Sequence, residues 1–325
     1  MLLVGDIGGT KTNLAIYSFD AGCREPLLEK TFPSDDYDGL EAIVKEFNRE
    51  IEYDIDRAVI GVAGPVVDGA VKATNLPWFM SEEGLKHALD IDEKVKLLND
   101  LEATAYGIIE LTDDELVKLN DAPARDGHKG IVAPGTGLGE AILCYHDGQY
   151  IAMPSEGGHT DFGPNSLVQL ELARFLLGKF GHISYERVCS GIGIPNIYEY
   201  FKQSGIAPEK PEIAAQLHNA EDPTPIIVEA ALEGTCELSI ETLNLFASIL
   251  GAETGNLAIT INARGGMYLG GGIPPRIVPK LKDGTFMASF LNKGRFADIL
   301  AKMPVYVILN PKTAMLGAAS YGLRL

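Results

Sequence analysis

Two segments of the chain repeat one pattern, in which an apolar run is followed by a glycine-rich turn and a second apolar run. The parts are Leu2–Gly5, Asp6–Thr12 and Asn13–Phe19 in the first copy, and Ile131–Ala133, Pro134–Gly139 and Glu140–Tyr145 in the second. Apolar runs of this length around such a turn predict a strand, a turn and a strand. In each copy an Ala-Ile pair begins five residues after a threonine, Thr10 in the first and Thr136 in the second. The repeat predicts two related lobes that each present a hairpin turn to a shared cleft.

The length of 325 residues exceeds what one hydrophobic core usually supports, so two domains are expected. A charged stretch, Leu111–Lys129, marks the boundary between them. We predict a small α/β domain formed by residues 1–110 and 301–325, and a larger and more helical α+β domain over residues 111–300. A cleft between two such domains suits small-molecule chemistry.

The remaining apolar residues alternate between two kinds of spacing. Uninterrupted runs predict strands at Arg57–Val62, Val95–Leu98 and Lys302–Leu309. Helical spacing is found at Gly39–Asn48, Glu82–Leu89, Gln169–Phe180, Ile194–Phe201 and Ala314–Leu323, and at greatest length over Ile226–Ile261. This order of elements indicates the α/β fold class.

The composition excludes several classes of function. A formal net charge of −18 repels nucleic acid phosphates and anionic membrane surfaces, so neither nucleic acid nor membrane is an expected partner. No run of about 18 apolar residues appears, and the first residues lack the basic region of a signal peptide. The four cysteines have no CxxC spacing, which favours reduced thiols. We expect a soluble cytoplasmic protein.

The first turn, Gly5–Thr12, contains three glycines and a Gly-Thr-Lys sequence. It departs from the phosphate-binding P-loop, because that motif needs Gly directly before Lys and a helix afterwards. A glycine hairpin can still expose successive N–H groups to a phosphate, and Asp6 can hold hydrated Mg²⁺ beside it. A tight hairpin turn that binds nothing explains the same residues equally well.

Two further glycine-rich segments are candidates for nucleotide binding. Pro134–Gly139 contains a GxGxG run but is followed by a strand-like segment, so a second phosphate turn is favoured over a dinucleotide fingerprint. Gly270–Gly272 places bare backbone between a strand and a proline-initiated helix, where a flat ring can lie. A plain strand-to-helix turn is the alternative, although it needs only one or two glycines.

Asn99 and Asp100 follow an apolar strand and precede a segment of helical character. Asp100 can serve simply as a helix cap. It can also be a carboxylate at the carboxyl end of a strand, where ligands bind in α/β folds.

The segment Glu156-Gly157-Gly158-His159 places a carboxylate and an imidazole close together. Its two glycines argue against a helix, so a loop that hydrogen-bonds vicinal hydroxyls is favoured over half of a di-iron site. Glu186 can add another acceptor, although pairing with Arg187 on a surface helix is the expectation from the residues alone.

These five segments, in their order along the chain, resemble the bacterial glucokinase family, which has the two-lobed actin-like ATPase (ribonuclease H-like) fold. The resemblance spans Gly5 to Gly272. It implies that three segments bind ATP. The first phosphate segment is Gly5, Asp6, Ile7, Gly8, Gly9, Thr10 and Lys11. The second phosphate segment is Gly135, Thr136 and Gly137, and the adenosine segment is Gly270, Gly271 and Gly272.

The resemblance also implies the sugar site. Asp100 matches the catalytic base for the 6-hydroxyl of glucose, and the sugar contacts match Asn75, Asn99, Asp100, Glu156, His159 and Glu186, with Trp78 in the same segment as Asn75. A homodimer is implied as well. No cysteine cluster follows His159, so the zinc loop of the related repressors is not expected here, and neither is their DNA-binding domain.

We therefore expect transfer of the γ-phosphoryl group from MgATP to glucose, with Asp100 accepting the proton late because an ordinary carboxylate cannot deprotonate an alcohol in the ground state. A kinase for another hexose or an amino sugar, a non-catalytic sugar sensor and an actin-type filament ATPase are the alternatives.

Overall fold

The computed structural model describes residues 1–74, 76–91 and 94–325. Its contacts define two compact units. The first comprises residues 1–112, 146–154 and 310–325, and the second comprises residues 113–145 and 155–309.

The first unit is built on a five-stranded sheet in the order β3-β2-β1-β4-β7. Strand β1 is antiparallel to β2 and parallel to β4, which is parallel to β7. A small hairpin, β5-β6, stands beside it. The elements are β1 (Leu2–Ile7), β2 (Lys11–Tyr17), β3 (Leu28–Pro33), α1 (Leu40–Arg49), β4 (Arg57–Val62), β5 (Ala70–Lys72), β6 (Phe79–Ser81), α2 (Glu82–Leu89), β7 (Val95–Asn99), α3 (Asp100–Gly107) and α12 (Thr313–Arg324).

In this unit helices pack on the sheet and on each other. Helix α1 buries Leu40, Ile43, Val44 and Phe47, which share one face at the spacing of a helix packed on a sheet. Helices α3 and α12 approach so closely that a methyl group on Gly107 or Gly317 would overlap the facing backbone. This packing holds α3, and with it Asp100, against the sheet.

The second unit contains five strands in the order β10-β9-β12-β13-β8. Strand β9 is antiparallel to β10 and parallel to β12, which is parallel to β13. The strands are β8 (Leu116–Lys118), β9 (Lys129–Pro134), β10 (Leu138–His146), β12 (Gly266–Leu269) and β13 (Val305–Ile308), while most of β11 (Gln149–Ser155) belongs to the first unit.

Helices make up most of the rest of the second unit. Their bounds are α4 (Leu167–Phe180), α5 (Gly193–Ser204), α6 (Pro211–Asn219), α7 (Thr224–Leu232), α8 (Glu237–Ile261), α9 (Val278–Leu281), α10 (Thr285–Leu291) and α11 (Ala297–Leu300). Helix α8 is buried along most of its 25 residues and forms the centre of this unit's core.

The observed elements differ from the expected ones at identifiable points. Region Ile226–Ile261 is two helices, α7 and α8, because Gly234 adopts a left-handed conformation (φ +69°) that ends the first helix. The first hairpin turn is shorter than Asp6–Thr12, since β1 continues to Ile7 and β2 begins at Lys11.

The contact-defined units also differ from the expected domain bounds. Residues 301–309 lie in the second unit because β13 is inserted between β12 and β8 in its sheet, and residues 146–154 lie in the first. That the units are two independent domains stays a prediction.

Candidate active site

The carboxyl ends of β1, β4 and β7 meet at one edge of the first unit's sheet. The parallel register places Ile7 beside Val62, and Val62 beside Asn99. Asp6 and Asp100 therefore stand near the same edge, where α/β folds bind ligands.

Asn99 is fixed by two hydrogen bonds. Its Oδ1 accepts from the Leu101 N–H (2.9 Å), so Asn99, and not Asp100, is the N-cap of α3. Its Nδ2 donates to the Gly64 carbonyl (3.0 Å). The loop after β4 that carries Gly64 was missed by sequence reasoning, although its Gly-Pro dipeptide is a turn signal.

Asp100 occupies the first helical position of α3 and is half-buried. Its Oδ1 also accepts from the Leu101 N–H (2.9 Å), so its carboxyl group lies at the amino end of the helix. The expected placement of Asp100 at a strand end and helix start is confirmed.

Burial raises the pKa of Asp6 to about 6, and the negative charge of Asp100 adds to the rise. Two carboxylates that repel each other in a partly desolvated place fit a hard divalent cation, which prefers oxygen ligands. Asp6 is therefore suited to hold Mg²⁺ through water. Among the described residues, no group of three or more His, Cys, Asp or Glu forms a metal-binding cluster.

The first glycine turn is closed by the Gly8 N–H, which donates to the Lys11 carbonyl (2.9 Å). Ser34 holds it from beneath, because its N–H donates to the Thr10 carbonyl (3.0 Å) and its Oγ to the Gly8 carbonyl (3.1 Å). Ser34 was missed because it lies 24 residues further along the chain, in a segment without a motif.

Gly5 and Ile7, both predicted nucleotide contacts, have a packing role as well. A methyl group on Gly5 would lie 2.7 Å from Ile60 and 2.9 Å from Leu14, and the Ile7 side chain is buried. Gly9, Thr10 and Lys11 form the rest of the turn, and Thr10 and Lys11 are exposed.

The two glycine segments of the second unit touch each other. The Ile273 N–H donates to the Pro134 carbonyl (3.2 Å), and a methyl group on Gly271 would lie 2.5 Å from the same oxygen. Gly271 also has a left-handed backbone (φ +77°), so a side chain there is disfavoured twice. Gly270 is buried at the end of β12.

A cavity of about 1070 Å³ opens beside these segments, large enough for a nucleotide. Gly135, Thr136 and Gly272, three of the predicted nucleotide contacts, line it, and their role in nucleotide binding stays a prediction. Its other walls come from α5, α7 and the segment after Gly272 and were missed, because no motif marks them: they include Ile192, Thr224, Val228 and Arg276.

Glu156, His159 and Glu186 come together in the second unit. The His159 ring lies 3.9 Å from each carboxylate, with Nε2 facing Glu156 and Nδ1 facing Glu186. Residues Gly157–His159 form a single 3₁₀ turn, whereas a non-helical loop was expected. The turn still brings two acceptors and one imidazole to one accessible place.

Glu186 does not pair with Arg187, although that pairing was the expectation from the residues alone. Its Oε2 accepts from the Leu138 N–H (3.0 Å), next to Gly137, where a methyl group would overlap this carboxylate. Arg187 instead stacks over the Phe180 ring at 4.3 Å. Glu186 thus joins the proposed sugar residues to the second phosphate turn.

The other expected sugar segment is only partly described. Asn75 lies outside the described residues. Trp78 is 2% exposed and its Nε1 donates to the Tyr37 carbonyl (3.2 Å), so its ring belongs to the first unit's core.

Comparison with known proteins identifies the family. The glucokinase family model matches residues 3–324. The glucokinase of Nostoc punctiforme is 38% identical and the alignment covers 100% of this chain and 99% of that protein, while that of Erwinia tasmaniensis is 35% identical with 98% and 96% covered.

A solved structure agrees with these sequences. A glucokinase from an Antarctic psychrotroph has a TM-score of 0.87 and 30% identity, covering 100% of this chain and 99% of that one. The chain belongs to the glucokinase family. The predicted family, the actin-like ATPase fold and the prediction of a glucose kinase are confirmed.

The helices described in residues 1–74, 76–91 and 94–325 include none with the length and apolar character needed to span a membrane.

Asp6→Asn is expected to stabilise the protein and to impair it as an enzyme. Because the folded-state pKa is raised, ionisation of Asp6 opposes folding, and stability from this group falls as pH rises from about 4 to 6. At pH 7.5 the variant should gain about 1 to 3 kcal/mol in free energy of unfolding, with no gain at pH 3.5. Urea unfolding at both pH values measures this, alongside a loss of glucose phosphorylation.

Asp283→Asn is the matched control. Burial alone raises the pKa of Asp283, but hydrogen bonds from Lys280 and Thr285 outweigh it and lower the pKa below its usual range. This variant should lose stability at pH 7.5. Equal effects of the two variants would contradict the assignment of Asp6.

Proposed function

We propose that this chain transfers the γ-phosphoryl group of MgATP to the 6-hydroxyl of glucose, giving glucose 6-phosphate and ADP, the first step of glycolysis. The observation that carries the proposal is Asp100 at the start of α3, at the edge of the first unit's sheet formed by the carboxyl ends of its parallel strands, and close enough to Asp6 to raise its pKa.

Solved relatives support the two substrates. A glucokinase from Balamuthia mandrillaris, with a TM-score of 0.80 and 23% identity, was solved with glucose. A glucokinase from Streptomyces griseus, with a TM-score of 0.62 and 20% identity, was solved with glucose and the ATP analogue AMPPNP.

The sugar residues supply several hydrogen-bonding groups. Glu156 and Glu186 accept hydrogen bonds from hydroxyl groups, and the His159 imidazole can donate or accept. Asn99 adds a side-chain amide whose orientation is fixed by Leu101 and Gly64. Asn75 is included on the resemblance alone.

The nucleotide is assigned to the glycine segments. The turns at Gly5–Lys11 and Gly135–Gly137 would hold phosphates through their backbone N–H groups. The adenosine would lie on Gly270–Gly272, in the cavity lined by Thr136 and Gly272. Mg²⁺, held through water at Asp6, would supply positive charge to the phosphate oxygens.

Asp100 would act on the acceptor hydroxyl mainly by orienting it. A carboxylate is too weak a base to ionise an alcohol beforehand, so Asp100 orients the 6-hydroxyl and takes its proton as the new P–O bond forms. Most of the acceleration would come from positioning and from charge stabilisation by the phosphate turns.

Two further properties are proposed. The four cysteines are in the reduced thiol form, which fits a reducing, cytoplasmic location. A homodimer fits the exposed face of α4, where Leu167, Leu170 and Leu177 are 82%, 51% and 54% exposed at helical spacing. The ion pair between Glu171 and Arg174 keeps this face locally neutral, which suits pairing of two identical copies.

Asp100→Asn should lower kcat for glucose by about a hundredfold to ten-thousandfold, because the proton acceptor is lost while the shape of the side chain is kept. Glucose affinity, measured by calorimetry, should change by less than about threefold. Asp90→Asn, at the left-handed end of α2 where asparagine is well tolerated, is the control and should keep full activity. Near-normal kcat in the Asp100 variant would refute the role.

Gly272→Val tests the nucleotide site. A Cβ at this position meets no protein atom within 4 Å and the backbone is not left-handed, so valine should be tolerated in folding, but its side chain would occupy the proposed adenosine surface. The KM for ATP should rise by about tenfold or more, with the KM for glucose nearly unchanged. Gly148→Val is the control. A Cβ at Gly148 also meets no atom within 4 Å, but its backbone is left-handed (φ +81°) and it is distant in sequence, so this variant shows the effect of backbone strain without blocking of the proposed adenosine surface. An unchanged KM for ATP in Gly272→Val would exclude this surface.

Leu170→Glu should convert the proposed dimer to a monomer, since two carboxylates would face each other across a two-fold interface. Light scattering should then report a mass near 34.9 kDa in place of twice that value. Val67→Glu, at a residue 64% exposed in the first unit, should leave the mass unchanged. A wild-type monomer would exclude the dimer.

A further inference from the structure

Two buried carboxyl groups lie beneath the Glu156–His159 turn. Glu140, on β10, is 3% exposed, and Glu253, on α8, is 5% exposed. Their side chains are within hydrogen-bonding reach of each other. Buried carboxyl groups are rare unless they are paired with a cation, a metal or a proton.

Glu140 supports the turn directly. A methyl group on Gly157 would overlap Oε2 of Glu140, so this carboxyl group lies against the backbone that connects Glu156 to His159. Gly158 is held equally closely, since a methyl group there would overlap the Leu138 carbonyl. Glu140 therefore forms part of the floor of the turn.

Glu253 supports the segment that carries Glu186. The Tyr185 hydroxyl is hydrogen-bonded to Glu253, and Asn256 Nδ2 donates to both Glu253 Oε2 and the Tyr185 oxygen (2.9 Å each). The Tyr185 N–H donates in turn to the Thr160 carbonyl (3.0 Å). The two carboxyl groups thus connect both segments that bear the proposed sugar residues.

The charge of Glu253 acts on Lys293, but among the described residues no cation hydrogen-bonds to either carboxyl group. Lys293 donates to Asn256 and to the Ala252 carbonyl, and neither hydrogen bond involves a carboxylate. Oε1 of Glu140 is buried and has no hydrogen-bond partner within the described part of the chain. Two adjacent carboxylates in this place would both be desolvated and would repel each other.

We propose that Glu140 and Glu253 share one proton and act together as positioning residues that hold Glu156, His159 and Glu186 for the sugar. The inference rests on the proposed sugar role of those three residues. Loss of the shared proton to solvent leaves two facing carboxylates, which separate and release the Gly157–His159 turn.

The pH at which this occurs follows from the surroundings. Burial, and then the charge of Glu253 and the hydrogen bond to it, raise the pKa of Glu140 to about 8. The other titratable groups that face the pair are Tyr185, Cys189 and, through Asn256, Lys293. Burial raises the pKa of Tyr185 and of Cys189 well above this range, so both stay neutral up to pH 9. Burial lowers the pKa of Lys293, with the charge of Glu253 opposing.

The pH profile of the glucose KM tests the proposal. If only the protonated pair binds sugar, the wild-type KM for glucose rises about eightfold between pH 7.5 and 9, with little change in kcat. In Glu140→Gln the amide keeps the protonated shape, so KM at pH 9 should stay within about twofold of that variant's own value at pH 7.5. Coincident profiles for the two proteins would overturn the proposal.

Glu209→Gln is the matched control. Glu209 is a mostly buried carboxylate of the same unit that accepts from the Tyr198 hydroxyl (3.2 Å) and pairs with Lys202 (2.6 Å). This variant should keep the wild-type alkaline rise, and its loss would show that any buried carboxyl change has the same effect.

A second readout does not depend on turnover. Amide hydrogen exchange of the peptide spanning residues 155–160, corrected for the intrinsic effect of pH, should accelerate at pH 9 in wild type and not in Glu140→Gln. No difference between the two proteins would overturn the proposal even if glucose is phosphorylated. Failure to phosphorylate glucose, with the exchange difference present, would instead refute the proposed function.

Discussion

Bare backbone at the carboxyl ends of parallel strands is the constraint on which the rest of the structure depends. In the second unit Gly271 passes Pro134 so closely that no side chain fits, and its left-handed backbone excludes most residues for a second reason. The contact places two glycine segments side by side and opens the cavity beside Thr136. In the first unit Gly5 lies within β1, where the Ile60 and Leu14 side chains occupy the space that a side chain at this position would need.

The two units share one arrangement of strands. The order β2-β1-β4-β7 in the first unit has the same sequence of antiparallel, parallel and parallel pairings as β10-β9-β12-β13 in the second. A hairpin followed by parallel strands brings a tight turn and open strand ends to one edge in each case. The units differ in their helices, since the second unit surrounds α8 with a much larger helical core.

Close pairs of carboxyl groups occur both at the proposed catalytic edge and beneath the proposed sugar residues, in a chain with a net charge of −18. Asp6 and Asp100 raise the free energy of each other's ionised form, which suits a cation brought with the nucleotide. Glu140 and Glu253 are almost fully buried, and we propose a shared proton as the compensation there. The two proposals thus assign different compensation, a cation and a proton, to similar pairs of carboxyl groups in the two units.

The sequence by itself determined the local features of this protein. It predicted the strands around both glycine turns, the helix after Asp100 and the glycine segments, because turn chemistry and apolar spacing act over a few residues. The residues alone indicated a hydroxyl-binding loop at Glu156 and His159, the family resemblance added Glu186 as a sugar contact, and the structure brings these three together.

Only the tertiary structure decided how distant residues support those features. Ser34 beneath the first turn, Glu186 on the Leu138 N–H, and Glu253 beside Glu140 depend on contacts between segments far apart in the chain. Trp78 belongs to the core for the same reason. Such contacts follow from how sheets and helices pack, which no local spacing encodes.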